Sequence, residues 1–555
     1  MSATRERGRA GSPAVEPDLQ PDLQPGQGSM LACLGVLAIA VRGVAWLRTA
    51  ALFDDGPVFL SLAQSIVDGD GSSALRHPYH PLYPALVAGL SLLGPGLENA
   101  AAALSAAAGG AAVVAFALWL DEAFGRATAW TGGAILALHP YAVSFSCDVQ
   151  SDGLYLALFL WSALFLYRAP RTGRWTDAAA AGAFSGLAYL ARPEGLGLAL
   201  LGALGGAVWI GRGDGRARAR AVALAALLAA ALVPAALYTT ALRLETGAWQ
   251  LTQKKSVAGL AGRSADARPA PATPLRRPGT LPRAGDRPPP RTPGERLAAA
   301  SWDFYRSSVS VFRFELLPFL ALGLFAARGR PGWRAVFVGG IGLAYAAVLA
   351  ALALGAGYVS RRHALPPLVP LMGYAASGLV FGVGWMVSRL GLTGRAAGPA
   401  RSWLAPLVIA ALLAAAWGPR DLAPRRLDRL AERRAAEWLR DGDHDPGPVA
   451  AGRLRVAYYA GRPFVPLPSA PKGGMLAYLQ SHAVRWVIVD ESKLDAHQGL
   501  RQAKAHGLER VHRVVEAGHT ASVYRVPAAP PRSRGPCGST SRPGECGAGP
   551  PGRSP

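Results

Sequence analysis

The chain has 555 residues, of which 51% are hydrophobic, and it carries a formal net charge of +23 at pH 7. Its long runs of Ala, Leu, Val and Gly and its mean hydropathy of +0.21 indicate a membrane protein and exclude a disordered or ordinary soluble chain. The charge does not indicate nucleic-acid binding, because the arginines are scattered between apolar segments and form no compact basic face with interleaved aromatic residues.

The N-terminal residues and the cysteines predict no further site. Residues 1–29 are polar and rich in Pro, Gln and Arg, so we expect a disordered cytoplasmic leader rather than a signal peptide. The apolar stretch that follows is then a retained anchor. Cys33 and Cys147 lie in or beside apolar segments, Cys537 and Cys546 lie in a Gly/Pro/Ser tail, and their spacing fits neither a metal motif nor a disulfide framework.

The apolar segments predict a polytopic all-α membrane domain. A helix needs about 20 mainly apolar residues to cross the hydrocarbon, and about eleven segments meet that requirement. These candidate spans are 30–48, 99–120, 126–144, 150–168, 175–191, 194–211, 219–241, 306–327, 333–355, 364–388 and 402–418. The stretch 81–94 is apolar but short and begins with proline, so we expect a re-entrant or interfacial helix there.

The arginines in the short loops predict the orientation of these spans. With a cytoplasmic N-terminus, the arginine-rich loops near residues 126, 168–174, 212–220, 328–334 and 389–401 all lie inside, in agreement with the positive-inside rule. The exceptions on the outer face are Arg76, Arg192, Arg361 and Arg362. The loop 243–300 is also basic, but its length and its Pro-rich composition predict a mostly disordered extracytoplasmic segment.

After the last span the sequence changes character and predicts a small extracytoplasmic α/β domain over residues 419–526. Residues 424–440 have the pattern of a charged amphipathic helix, and 454–460 and 484–490 are typical of short buried strands. Helices are expected around 473–482 and 493–506, followed by a final hairpin. Residues 527–555 form a Pro/Gly/Ser/Arg tail for which we expect disorder.

The strongest candidate for chemistry is the pair Asp54 and Asp55, directly after the first span. Two adjacent carboxylates at the mouth of a membrane helix are costly to hold near hydrocarbon, which favours an ionic or catalytic role. The alternative is a helix-capping Asp beside a solvated one. An apolar helix pattern and a His/Pro/Tyr loop over residues 76–84 follow on the same predicted face.

Several other polar residues fall on that face, each with an ordinary structural alternative. Asp152 also fits a helix cap, Arg192 and Glu194 also fit a pair at a helix boundary, and Arg361, Arg362 and His363 also fit interfacial anchors that snorkel. Because the last three depart from the inside bias, phosphate binding is the preferred interpretation. His77, His80 and Tyr83 lie in the proline-rich loop, which is expected to form a rigid groove wall rather than a helical metal pair.

The order of these motifs resembles the GT-C superfamily of integral-membrane glycosyltransferases, and within it the bacterial relatives of protein O-mannosyltransferases and lipid A aminoarabinose transferases, of glycosyltransferase family 39 type. The motifs are the acidic pair, the loop HPYHPLYP at 77–84, Asp152 in QSDGLYLAL, Arg192-Pro193-Glu194, and Arg361-Arg362-His363. The resemblance covers residues 30–418 and extends to the C-terminal domain in general layout.

The resemblance implies a reaction and a role for each residue. The donor would be a polyprenyl-phosphate monosaccharide, and the acceptor a glycan, lipid or protein on the outer face of the cell membrane. Asp54 would be the general base, with Asp55 orienting it, since displacement by a hydroxyl needs a proton acceptor. Arg192, Arg361, Arg362 and His363 would bind the donor phosphate, with His77, His80, Tyr83, Asp152 and Glu194 lining the groove or supporting it. A divalent cation held by Asp55 and Asp152 is the one cofactor that the resemblance allows.

Two other functions stay open at this point. A secondary transporter or lipid flippase is also polytopic, but such proteins often show paired half-repeats, and none is visible in the sequence. A membrane-anchored assembly protein, in which the outer domain does the work, would not need Asp54. The sequence names neither the sugar nor the acceptor.

Overall fold

The computed structural model describes residues 26–210, 216–253, 292–328, 333–356, 360–389, 404–442, 444–468, 471, 474–492, 500 and 507–527. The predicted C-terminal tail beyond 527, most of the predicted leader, residues 254–291 of the loop 243–300 and nearly all of the helix at 493–506 lie outside these residues. Both described ends of that loop are partly helical, in contrast to the predicted disorder. The chain divides into two compact units, Met1–Leu430 and Ala431–Pro555.

The described part of the first unit is helical. Its helices are α1 Gln27–Leu47, α2 Gly56–Val67, α3 Gly71–Leu75, α4 Leu82–Ser91, α5 Leu97–Phe124, α6 Arg126–Leu138, α7 Pro140–Ser146, α8 Asp152–Thr172, α9 Trp175–Ala191, α10 Gly197–Ile210, α11 Ala217–Thr246, α12 Pro293–Phe312, α13 Leu317–Ala327, α14 Trp333–Ala356, α15 Arg361–Arg389 and α16 Leu404–Asp421. Short 3-10 turns occur at Pro193–Leu196, Phe314–Leu316 and Leu427–Arg429.

The described helices confirm a membrane protein but not the predicted count of eleven spans. Five of them, α1, α5, α8, α11 and α15, are long and apolar enough to cross a membrane, and a sixth results if α12 and α13 act as one span bent by 71°. Several predicted spans are interrupted. The span 126–144 breaks at Pro140 into α6 and α7, and the 3-10 turn at Pro193–Leu196 leaves α10 only 14 residues long. Proline has no N–H to continue the hydrogen-bond ladder, which explains the first break.

Close helix packing in this unit depends on small residues. Gly182 and Gly186 lie one turn apart on α9 and face α11. A Cβ at Gly182 would overlap the carbonyl oxygen of Leu227, and one at Gly186 would lie 2.8 Å from the carbonyl oxygen of Ala231. The two glycines therefore allow the two backbones to approach as in a small-xxx-small interface.

One charged residue, Arg42, lies inside the first apolar segment and is only 1% exposed. Its Nε donates to the Ser146 hydroxyl at 2.6 Å, and its Nη1 donates to the carbonyl oxygens of Ala38 at 3.0 Å and Ala137 at 3.1 Å. Gly109 of α5 leaves the space that the guanidinium occupies. Arg42 therefore ties α1 to α6 and α7, and its buried charge is hydrogen-bonded as burial requires.

The second unit is an α/β domain with a five-stranded sheet. Its elements are α17 Leu430–Asp441, which starts at the boundary, β1 Val449–Ala451, α18 Leu454–Tyr459, β2 Phe464–Pro466, α19 Met475–Ser481, β3 Trp486–Asp490, β4 Glu509–Glu516 and β5 His519–Arg525. The strand order is β2-β1-β3-β5-β4, with β1 parallel to β2 and β3, and β5 antiparallel to β3 and β4. Apolar residues of β3 and α19, among them Val487 and Leu479, form its core.

The predicted strand at 454–460 is wrong, because these residues form α18. Its aromatic and β-branched composition favoured a strand, but a short apolar run cannot be distinguished from a buried helix by periodicity. In the structure Arg455 of this segment is buried and donates to Glu432 at 2.8 Å. The predicted helix at 473–482, the strand at 484–490 and the final hairpin correspond to α19, β3 and β4–β5.

Candidate active site

Asp55 occupies the N-cap position of α2, but its side chain does not make the capping hydrogen bond. It accepts a hydrogen bond from the Tyr79 hydroxyl at 3.0 Å and pairs with Nη1 of Arg362 at 2.6 Å. Tyr79 belongs to the proline-rich loop, and Arg362 to the first turn of α15. The carboxylate therefore joins three separate parts of the first unit rather than its own helix.

Arg362 connects Asp55 to a second, deeper carboxylate. Its Nη1 lies 3.6 Å from Oδ2 of Asp152, the first residue of α8. Asp152 also forms an ion pair with Arg192, and Nε of Arg192 lies 3.6 Å from the carboxylate of Glu194. The side chains of Asp152 and Arg192 are each 8% exposed. The five side chains Asp55, Arg362, Asp152, Arg192 and Glu194 alternate in charge, the two most buried of them are Asp152 and Arg192, and we name the set the ionic chain.

The environment fixes the charge state of several site residues. Burial alone would lower the pKa of the Arg192 guanidinium, but Asp152 and Glu194 more than offset it and raise this pKa above its usual value. Burial, together with the charge of Asp55, raises the pKa of the Tyr79 hydroxyl, which keeps it a hydrogen-bond donor.

His77 is neutral at physiological pH. Burial lowers the pKa of its imidazole to about 4. Its Nδ1 accepts the backbone N–H of Tyr79 at 3.1 Å, and the two rings are 5.0 Å apart. His77 therefore shapes the loop and does not supply a cation for phosphate.

Asp54 has a different partner from Asp55. Its Oδ1 lies 3.5 Å from Nη1 of Arg429, in the 3-10 turn beyond α16, and its side chain is 27% exposed. Sequence reasoning missed Arg429, because the predicted amphipathic helix at 424–440 made it one charge among many on a solvated face. Nothing in the sequence links residue 429 to residue 54.

Two further residues of the candidate site, Arg426 and Phe53, were also not identified from the sequence. Arg426 pairs with the buried carboxylate of Asp148 and donates from Nη1 to the carbonyl oxygen of Ala51 at 2.8 Å. The ring of Phe53 lies 5.1 Å from the guanidinium of Arg362 and 5.3 Å from that of Arg426. The only sequence feature that could have pointed to these contacts is the position of Asp148, four residues before Asp152.

His80 and Tyr83 connect the proline-rich loop to neighbouring helices through hydrogen bonds. His80 is 2% exposed, and its ring nitrogens lie 2.5 Å from the carbonyl oxygen of Tyr189 and 3.1 Å from the hydroxyl of Thr252. Tyr83 is fully buried, and its hydroxyl lies 2.9 Å from that of Ser105. Both side chains connect the loop to neighbouring elements, and their role in a groove stays a prediction.

Arg361 and His363 flank Arg362 but stand outside the ionic chain. Arg361 is exposed, lies 5.3 Å from the ring centroid of Tyr141, and makes no ion pair with any carboxylate in the described ranges. Arg420 lies 5.6 Å from the same ring. Nδ1 of His363 lies 3.0 Å from the Ser360 hydroxyl. Arg361 is therefore a cation at the site that no described acid neutralises.

The described residues include no group of three or more His, Cys, Asp or Glu side chains that could hold a metal ion. Asp55 and Asp152, the two predicted metal ligands, both contact the guanidinium of Arg362. A positive charge already lies between them, so a divalent cation would bind there only by displacing this side chain.

Known proteins resemble the chain in sequence over one segment and in fold over most of its length. Residues 76–239 match the family model of dolichyl-phosphate-mannose-protein mannosyltransferase. No curated protein matches the chain by sequence at a significant level. The matched segment contains Tyr79, Asp152 and Arg192 and begins after the acidic pair.

Among solved structures, ArnT from Cupriavidus metallidurans in the apo state aligns with a TM-score of 0.56 at 12% identity, covering 89% of this chain and 98% of that one. The same protein bound to undecaprenyl phosphate gives 0.55 at the same identity and coverage. The apo oligosaccharyltransferase of Archaeoglobus fulgidus gives 0.50 at 14% identity, covering 86% of this chain and 72% of that one. At these identities the likeness shows a shared fold.

Proposed function

We propose that this chain, a glycosyltransferase of the GT-C superfamily by its family match and its fold, transfers a monosaccharide from a polyprenyl-phosphate donor to a hydroxyl of a cell-envelope glycan, lipid or protein. The donor class is supported by the ArnT structure, which was solved with undecaprenyl phosphate bound. The orientation follows the arginine distribution of the loops, with the N-terminus in the cytoplasm and the site on the outer face of the inner membrane.

The reaction is a single displacement with inversion. The acceptor oxygen attacks the anomeric carbon while the bond from that carbon to the phosphate oxygen breaks, and the acceptor proton passes to Asp54. The leaving group is the polyprenyl phosphate, whose negative charge grows as the bond breaks. Preorganised cations at that position lower the barrier.

The observation that carries the proposal is the difference between the two aspartates. Asp55 is held by Tyr79 and Arg362 and belongs to the ionic chain, which fixes the end of α2. Asp54 stands beside this chain: its side chain is 27% exposed, and its Oδ1 lies 3.5 Å from Nη1 of Arg429. A base needs an accessible carboxylate on a rigid support, and this arrangement supplies both.

The donor phosphate is assigned to the outer turn of α15. Arg361 is exposed and makes no ion pair with a described carboxylate, so its planar fork can bind phosphate oxygens in pairs. Arg362, Arg192 and His363 lie behind it and add positive potential or hydrogen bonds. A divalent cation bound by Asp55 and Asp152 remains a prediction. Sugar transfer that continues after chelation of divalent ions would contradict this prediction.

The test is sugar transfer from radiolabelled polyprenyl-phosphate sugars to membrane acceptors by the wild type and Asp54→Asn at matched expression. Loss of a general base reduces such a rate by about 10²- to 10⁴-fold. The matched control is Asp68→Asn, an exposed aspartate at the other end of α2, which should keep the wild-type rate. Full transfer by Asp54→Asn would move the base to Asp55, and a wild type that transfers no sugar from a broad donor pool would refute the proposal.

A further inference from the structure

A nine-residue segment beyond α16, Leu422–Leu430, is joined by backbone hydrogen bonds to the loop that carries the acidic pair. The N–H of Ala50 donates to the carbonyl oxygen of Arg425, and the N–H of Arg425 donates to that of Arg48, both at 2.9 Å. Nη1 of Arg48 donates to the carbonyl oxygen of Leu422 at 2.6 Å. We call this segment the arginine strap.

The side chain of Arg426 fixes the strap to the acidic loop a second time. It reaches the carbonyl oxygen of Ala51, the ring of Phe53 and the carboxylate of Asp148, which is 1% exposed. The backbone of Arg426 has φ +57°, a left-handed conformation that is unfavourable for a residue with a Cβ. Such conformations persist where the surrounding contacts over-determine them and are concentrated at functional sites.

The strap ends by placing Arg429 next to Asp54. A guanidinium 3.5 Å from a carboxylate favours its ionised form and restricts its direction. Asp55 is beside Asp54 in the chain, and Arg362 and Arg426 flank the ring of Phe53, the residue before it. Arg362 is paired with Asp55 and Arg426 with Asp148. Arg429 faces Asp54 through Nη1, and its Nε lies 3.9 Å from the carboxylate of Asp428.

We propose that Arg429 is a positioning residue for the transfer reaction: it holds Asp54 ionised and directed toward the acceptor, and the rest of the strap holds Arg429. The inference rests on the proposed function, because it takes Asp54 as the base. It adds a residue from outside the predicted motifs, and it makes the segment after α16 part of the proposed catalytic centre.

The experiment compares the pH dependence of sugar transfer in full-length wild type, Arg429→Gln and Arg429→Lys in membranes. In a plot of transfer rate against pH, the acidic limb is the part where the rate falls as Asp54 takes up a proton. Removing the positive charge makes this protonation easier, so the acidic limb for Arg429→Gln should move to higher pH by about one unit. At pH values below both limbs its rate should fall about tenfold, because a one-unit shift changes the ionised fraction there tenfold, while Arg429→Lys should keep most of the rate and the wild-type limb. The control is Arg434→Gln, an exposed arginine of α17 that pairs with Glu437.

The outcomes separate this inference from the proposed function. If Asp54→Asn abolishes transfer but Arg429→Gln has the wild-type pH limb, the proposed function stands and the role of Arg429 is wrong. If Arg429→Gln and Arg429→Lys lose the same activity without a shift of the limb, the strap is a structural anchor only, which also overturns the inference. If Asp54→Asn transfers normally, the base assignment fails first, and the role of Arg429 fails with it.

Discussion

Asp54 and Asp55 are neighbours in the chain, yet each is matched with a different cation. Asp55 is paired with Arg362 of α15, and Asp54 faces Arg429 of the strap. Two adjacent carboxylates repel each other, and a separate guanidinium for each offsets that repulsion.

Removal of Arg362 should be the most damaging single change in the ionic chain. In Arg362→Gln, Asp55 and Asp152 lose the cation that they share, which leaves Asp55 without its ion pair and weakens the link between α2, α8 and α15. We expect a lower unfolding temperature in detergent and at least a hundredfold loss of transfer. The control is Arg389→Gln at the other end of the same helix, where the arginine lies over Trp385. Wild-type stability in Arg362→Gln would show that the chain tolerates the unpaired acids.

At the scale of the elements, the interface of α9 and α11 sets the position of Arg192. Gly182 and Gly186 let the two helices approach, and Arg192 follows directly after the end of α9. A shift of α9 would therefore move Arg192 relative to Asp152 as well as loosen the helix pair.

We expect Gly182→Val to prevent the two helices from reaching this distance, because the new side chain meets the backbone of α11 rather than a flexible side chain. The variant should lose most of the protein that elutes as a monodisperse peak in detergent. Gly205→Val on α10, where a Cβ meets nothing within 4 Å, is the matched control and should elute like the wild type. Equal behaviour of the two variants would contradict the packing argument.

Hydrophobic runs predicted the elements well where nothing interrupts them. Segments such as 99–120 and 219–241 became α5 and α11, because a long apolar run has no other way to satisfy its backbone in lipid. Prediction failed where local chemistry was ambiguous. Pro140 divided one predicted span, and the aromatic run at 454–460 formed a helix because its buried contacts, not its composition, decided the outcome.

At the scale of the whole molecule, the candidate site could be predicted in its residues but not in its pairings. The shared predicted face identified Asp55, Asp152, Arg192 and Arg362 as members of one site, and the structure brings these four together. Which cation meets which acid depends on contacts such as that between Asp55 and Arg362, 307 residues apart. Charge patterns in a sequence contain no information about such distances, and Arg429 was missed for this reason.

The predicted orientation is open to a direct test with cysteine labelling. In a background with Cys33, Cys537 and Cys546 replaced by Ser, and with the buried Cys147 retained, Gly71→Cys should react with a membrane-impermeant maleimide on intact cells, because α3 lies on the predicted outer face. Arg174→Cys, exposed between α8 and α9, should react only after permeabilisation. The opposite pattern would invert the topology and place the site on the cytoplasmic face.

The strap also determines when, during synthesis, the proposed catalytic centre can assemble. Ala51 and its partner Arg426 are 375 residues apart, so the acidic loop leaves the ribosome long before the arginines that hold it. At about 5–20 residues per second, the delay is roughly 20–75 s. The acidic loop must pass this interval without Arg425, Arg426 and Arg429. Under the proposed function, a chain that ends before Arg425 is therefore expected to be inactive in sugar transfer, because it lacks the strap residues that follow α16.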